Sequence, residues 1–327
     1  DRKKLEPAGN LAVNNHIHHY GRFQRTYAPG IHADGCGQIA RNNRIHDAPH
    51  NAVLYGGNEH VFENNEIYRV VMETGDAGAF YTGRDWTSRG NVLRHNYIHD
   101  LGGGDASHVN TMGVYLDDCD CGDTIEGNIF QRAGRAVMIG GGRDNPVRDN
   151  LVLDCPIGLH IDTRGMTWKQ WNNPEDPSWA LEDKAKKLDY TNPPWSTRYP
   201  RLAAIMAENP REPANNPITG NVFVDCPKVV DFDAKFRGLA GKEKISGNLI
   251  VTRKPMAAKA AANDHEGFTR VSGGEAEAMD IDCTIGADGR LVVRGMHHVK
   301  KSLPGFALPE DPVGLVKDAW RTEVPPR

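Results

Sequence analysis

Residues 42–68 read NNRIHDAPHNAVLYGGNEHVFENNEIY, and the phrase that opens this stretch also closes it. An Asn sits just before or inside a small apolar run at Asn15, Asn43, Asn65, Asn96, Asn128, Asn150, Asn221 and Asn248, at steps of 28, 22, 31, 32, 22, 71 and 27 residues. A second phrase lies between these: NAVLYGG from Asn51, GAFYTG from Gly78, GVYLDD from Gly113, RAVMIGG from Arg135 and IGLHIDT from Ile157. Two short strand-like runs per unit, a variable excursion and no helical period predict a solenoid whose repeat is one coil. The expected fold is all-β, a right-handed parallel β-helix.

In stacked parallel coils each strand lies about 4.8 Å from the next, so a residue type that recurs in register stacks on itself. An Asn column suits a turn, because its amide bonds to the Asn of the next coil and its backbone tolerates the bend. The apolar positions Ile17, Ile45, Ile67, Ile98, Ile129, Val152, Val222 and Leu249 are expected to form one interior column. Gly56, Gly83 and Gly140 mark a shared turn after the second phrase.

A length of 327 residues with 35 Gly and 20 Pro fits a narrow core surrounded by turns. Net charge −4 with scattered Lys and Arg leaves no basic field for nucleic acid, and no 18-residue apolar run predicts a membrane span. Cys36, Cys119, Cys121, Cys155, Cys226 and Cys283 obey no metal spacing and read as buried small hydrophobes. The 14 His show no closed metal set either, so neither metal nor cofactor is expected. The chain reaches its first Asn phrase without a signal peptide or an amphipathic lid. Preceding coils, or self-association, are therefore expected at that end.

Coils with their excursion 163–216 span residues 1–258, and strands with a capping tail span 259–327, within one domain. The excursion carries Trp168, Trp171, Trp179 and Trp195, with one helix expected from Asp176-Pro177 to about Leu188 and another from Pro200 to Glu208. Its rings either anchor it to the outer face or stack on a sugar. In the tail, DIDCTIGADGRLVVRG reads as strand, turn and strand, and DPVGLVKDAWR as an element that closes the last coil.

Superposing the second phrases sets Asp117-Asp118 against Thr82-Gly83 and Ile139-Gly140. Adjacent acids at a strand end repel, and desolvation raises the pKa of one of them. Asp76, Arg84, Asp85, Trp86, His108, His160 and Asp162 fall in the same neighbourhood, although the ladder alone does not set Asp76 beside Asp117. Two carboxyl groups, one protonated and one ionised, are what glycoside hydrolysis needs. A polysaccharide lyase on the same scaffold would instead need a base and a cation, and a non-catalytic carbohydrate-binding β-helix would need only the aromatic rings.

Through HNAVLYGGNEHVFENNEIY, ETGDAGAFYTGRDW, GVYLDDCDCG, GRAVMIGGGRDNPV and NPPWSTRYP the chain resembles the β-helix enzymes of glycoside hydrolase family 141. That resemblance implies hydrolysis of plant-type glycans, as an α-L-fucosidase or a xylanase, with an oligo- or polysaccharide as partner. It implies a secreted or periplasmic location. It also implies a catalytic pair at Asp76 and Asp117; around that pair, the aligned columns and the aromatic excursion make Asp118, Asp85, Arg84, Trp86, His160, Asp162, His108 and Trp195 the expected sugar-binding residues.

Overall fold

A computed structural model describes residues 1–102, 110–172, 178–239, 244–253, 266–286, 290–308 and 310–326. Three parallel sheets wind round one core. The first runs from Leu11–Val13 to Ile245–Ser246, the second from His16–His18 to Phe268–Ser272, and the third from Ile31–Ala33 to Lys228–Phe232. Each coil thus has three strands rather than the two runs visible in sequence. The Asn phrase itself bends: Val61–Glu63 belongs to the first sheet and Glu66–Tyr68 to the second, with Asn65 at the corner.

The corner forms because the residue before each ladder Asn adopts positive φ, 59° at Asn14, 54° at Asn42 and 55° at Asn64, where short polar residues or Gly are tolerated. From Asn15 to Asn248, each Asn side-chain amide and backbone N–H donate to Oδ1 of the next Asn at 2.9–3.1 Å. A second polar column, five residues ahead of the first, passes through Gln38, His60, Asn91, Asp123, Asn145 and Asn216. It escapes a search for one recurring residue because its members differ.

Asp123 is the acid in that column. It accepts from Asn91 Nδ2 at 2.9 Å and from the Tyr55 hydroxyl at 2.7 Å, and burial pushes its carboxyl up to about 7. A group whose folded pKa is raised binds its proton more tightly when folded, so its contribution to stability is lost as pH rises from about 4 through about 7. Asp123→Asn is therefore expected to be more stable than the wild type at pH 8, with the difference vanishing near pH 4, by urea midpoints at both pH values.

The interior column holds Ile17, Ile45, Ile67 and Ile98, then Phe130, Val152, Phe223 and Ile250. Ile129, Val222 and Leu249 are one residue out of the expected column. They face outward, as strand alternation requires, and pack with Val299, Phe306 and Val313 of the tail. These outward positions are apolar because they are covered.

The tail does more than close the last coil. After the hairpin of Asp282–Ile285 with Leu291–Arg294 and the helix Met296–Ser302, it runs back along the second sheet. The Gly314 N–H donates to the Asn64 carbonyl at 2.8 Å, the Val316 N–H to Asn14 Oδ1 at 3.0 Å, and Arg44 Nη1 to the Pro325 carbonyl at 2.7 Å.

The excursion forms short helices at Arg164–Thr167, Leu181–Lys186, Trp195–Arg198 and Pro200–Ala203, with a 3₁₀ turn at Ile205–Ala207. The expected start at Asp176-Pro177 lies outside the described residues. Trp179, Leu181, Trp195, Tyr199 and Leu202 pack on Trp86, Cys119 and Cys121, so the insertion covers the corner that follows the third sheet. All six Cys are buried and unpaired.

Candidate active site on the third sheet

The third sheet sets Tyr81, Tyr115, Met138 and His160 in one register row, and Phe80, Val114, Val137 and Leu159 in the next. Phe80, Val114, Val137 and Leu159 are core residues, which leaves the tyrosine row on the outer face. The sequence superposition was one residue out in this coil: Asp117 pairs with Gly83, and Leu116 with Thr82 and Ile139. A one-residue slip exchanges the two faces of a strand, which is why Tyr115 did not look like a site residue.

Asp117 therefore lies between Gly83 and Gly140, and both glycines are required by space. A Cβ on Gly83 would come within 2.8 Å of the Asp117 carbonyl oxygen, and one on Gly140 within 2.6 Å of the Arg164 guanidinium carbon. Gly140 thus leaves a passage through which Arg164, at the start of the insertion, reaches back to Asp117. Arg164 Nη1 donates to Asp117 Oδ1 and, at 3.0 Å, to Asp118 Oδ1, while Nη2 donates to Asp162 Oδ2 at 2.7 Å. One buried guanidinium holds three carboxylates.

Asp117 Oδ2 accepts from the Tyr81 hydroxyl at 2.8 Å, and Asp118 Oδ2 accepts from Arg84 Nε at 2.6 Å. The Tyr115 hydroxyl donates to Asp76 Oδ1 at 3.1 Å and accepts from Arg164 Nη1 at 3.4 Å. Asp76 and Asp117 are thus linked through Tyr115 and Arg164, Asp76 exposed and Asp117 with 6 % of its surface exposed. Burial, then Asp118, push the Asp117 carboxyl above the ordinary range, against Arg164, Tyr81 and Tyr115, which favour the ionised form.

Of the other residues singled out in sequence, Asp118, Arg84 and Asp162 join this cluster. His160 sits in the same outward row one coil beyond Met138, its pKa lowered by burial and then by Arg135. Asp85 turns into its own loop, accepting from the Thr87 N–H at 2.9 Å and pairing with Arg2 at 3.5 Å. Trp86 and Trp195, each 1 % exposed, have no ring face for a sugar; they anchor the insertion. His108 lies outside the described residues. Tyr81, Tyr115 and Arg164 were missed, the tyrosines because they read as strand hydrophobes and Arg164 because it follows the last superposed residue by two positions.

No group of three or more His, Cys, Asp or Glu among the described residues is arranged to hold a metal ion. No described helix is long and apolar enough to cross a membrane.

Fold and outer face together define a right-handed parallel β-helix with an acidic, tyrosine-lined cluster on its third sheet. The family described as "Right handed beta helix region" matches residues 29–172, which contain the whole cluster. No curated protein is significantly similar to the chain.

Proposed function

We propose that this chain is a glycoside hydrolase that cleaves its substrate between Asp117 and Asp76. The observation that carries this reading is a buried carboxyl of raised pKa, Asp117, linked through Arg164 and the Tyr115 hydroxyl to the exposed carboxyl of Asp76. Asp117 delivers a proton to the leaving oxygen, and Asp76 attacks the anomeric carbon or activates water. When Asp117 carries its proton on Oδ2, the Tyr81 hydroxyl rotates from donor to acceptor. The fold is in keeping with carbohydrate-active β-helix enzymes, and the likeness to glycoside hydrolase family 141 directs the search to α-L-fucosides and xylan. Export would then bring the enzyme to its polymer.

The phenols do not supply the base that a lyase would need. Burial and Asp117 push both Tyr81 and Tyr115 well above the ordinary phenol range, so neither is an anionic base at neutral pH.

The test is incubation of the purified protein with α-L-fucosides, xylan and pectic oligosaccharides, reading reducing ends and ultraviolet absorbance together. New reducing ends without an unsaturated product support hydrolysis; an unsaturated product, or none from any substrate, rejects it. A second check concerns pH. Tyr81 stabilises ionised Asp117, so Tyr81→Phe is expected to raise the pKa of the acid and move the alkaline limb of kcat/KM to higher pH. An unmoved or downward-shifted limb would assign the proton donor elsewhere.

A further inference from the structure

The outer face of the second sheet carries a group of imidazoles that the acidic cluster of the third sheet does not use. His16 and His18 flank the inward Ile17 on one strand, and His46 follows the inward Ile45 on the strand of the next coil. His46 Nε2 lies 2.7 Å from His16 Nε2, although the two residues are 30 positions apart. The opposite edge of the His46 ring is fixed: Nδ1 donates to Asp47 Oδ2 at 2.6 Å, and Arg69 Nη2 holds the same oxygen at 2.8 Å. The ring is also stacked between His18, at 5.2 Å between centres, and Tyr68, at 4.6 Å, and is 7 % exposed. With its proton committed to Asp47, His46 presents a bare Nε2 lone pair to His16. Two imidazole nitrogens this close must share something electrophilic between them, a proton or a metal ion.

We propose that His16 and His46 form a binding site for a divalent transition-metal ion of the zinc or copper kind, which ties two successive coils together. A carboxylate behind a ligating histidine is the arrangement that fixes the tautomer and raises the basicity of the ligand in metal sites, and Asp47 supplies it. At metal–nitrogen distances of about 2.0–2.1 Å, nitrogens 2.7 Å apart subtend an angle of about 80°, and a separation of about 3.3 Å gives the tetrahedral angle. His16, which is half-buried, makes that small movement while His46 stays in place. Water completes the coordination, since two protein nitrogens converge rather than three or four. The ion is one that prefers imidazole to oxygen. Arg44, Arg69 and Arg321 lie near the pair, held by Glu66, Asp47 and the Asn14 carbonyl, so charge alone offers no attraction to magnesium or calcium. His18 and His19 also approach one another, Nδ1 to Nδ1 at 2.8 Å, but both are exposed, and Asp47 backs His46 rather than either of them. The run His16-Ile17-His18-His19 is visible in the sequence; its partner comes from one coil on.

The experiment is calorimetric titration of the full chain, freed of metal by a chelator, with zinc sulfate near neutral pH and with magnesium chloride as the control. Zinc is expected to bind and magnesium is not. His16→Gln and His46→Gln should each weaken zinc affinity about tenfold or more, and Asp47→Asn, which leaves both ligands in place, about tenfold, the usual loss for a residue that orients a ligand. His19→Gln and His298→Gln, from two other close histidine pairs, should bind zinc as the wild type does. Urea midpoints without zinc separate lost binding from lost folding, and zinc should raise the midpoint of the wild type but not that of His16→Gln. No zinc binding by the wild type, magnesium bound as tightly as zinc, or undiminished zinc binding by both His16→Gln and His46→Gln would overturn the proposal. So would loss of binding in His19→Gln or His298→Gln alone, which moves the ion to another pair.

Discussion

Asp117→Asn is expected to lower the rate of glycoside hydrolysis by about 10³-fold, the usual scale for losing a general acid. The amide fits the same space and still accepts from Arg164 at Oδ1, so the fold should persist. What it lacks is the transferable proton. A substrate whose leaving group needs no protonation, such as a nitrophenyl glycoside, should recover much of the loss in the first bond-breaking step. Asp76→Asn is expected to lose a comparable factor on both kinds of substrate, because attack or water activation is needed whatever the leaving group. The contrast assigns the two roles. If Asp117→Asn were equally impaired on activated and natural substrates while Asp76→Asn was spared, Asp117 would not be the acid. Full activity in both variants would dismiss the pair.

The second large effect falls on stability. Arg164→Met should destabilise the protein by about 3–5 kcal/mol at pH 7, the usual consequence of removing one partner from a buried ionic group. Its side chain is 3 % exposed, and those of Asp117 and Asp118 are 8 % and 5 % exposed. Without the guanidinium these carboxyls stay close together in a dry site, and water cannot replace the lost donors. The deficit should shrink on acidification, since protonating Asp117, whose pKa burial and Asp118 already raise, removes its repulsion of its neighbours. Arg164→Lys should fall between, because one ammonium cannot reproduce a planar fork that serves three carboxylates. The measurement is the urea midpoint followed by tryptophan fluorescence, with Trp168 reporting directly on Arg164, whose guanidinium lies 4.6 Å from its ring centre. A midpoint unchanged at pH 7 would mean that the cluster is solvated and Arg164 dispensable.

Much of the scaffold was legible because stacking forces identity between distant residues. One Asn corner must match the next if its amide is to bond upward, so the ladder from Asn15 to Asn248 is written as a repeat. The mixed column from Gln38 to Asn216 obeys the same geometry with different donors and acceptors, and so carried no visible signature. The interior column was read correctly where one apolar residue follows Asn at the second position. It slipped at Ile129, Val222 and Leu249, where the residue directly after Asn is also apolar under the tail, an ambiguity that Leu151 and Val152 share although Val152 was placed correctly. The acids of the third sheet were conspicuous as departures from Gly at a turn. Their donors were not, because nothing in the repeat announces them.

The sequence by itself determined the coil, the all-β solenoid and the wall on which its acids gather, since each depends on residue types recurring in register. Only the tertiary structure decided the pairing of Asp76 with Tyr115, 39 residues apart, and of Arg164 with Asp117, 47 residues apart. It alone also decided that Trp86 and Trp195 are buried anchors. These contacts join a loop or an insertion to the regular wall, and they depend on space: the missing side chain of Gly140 and the path of a chain that leaves the repeat. A repeat records what every coil must share, and a site is built where one coil differs.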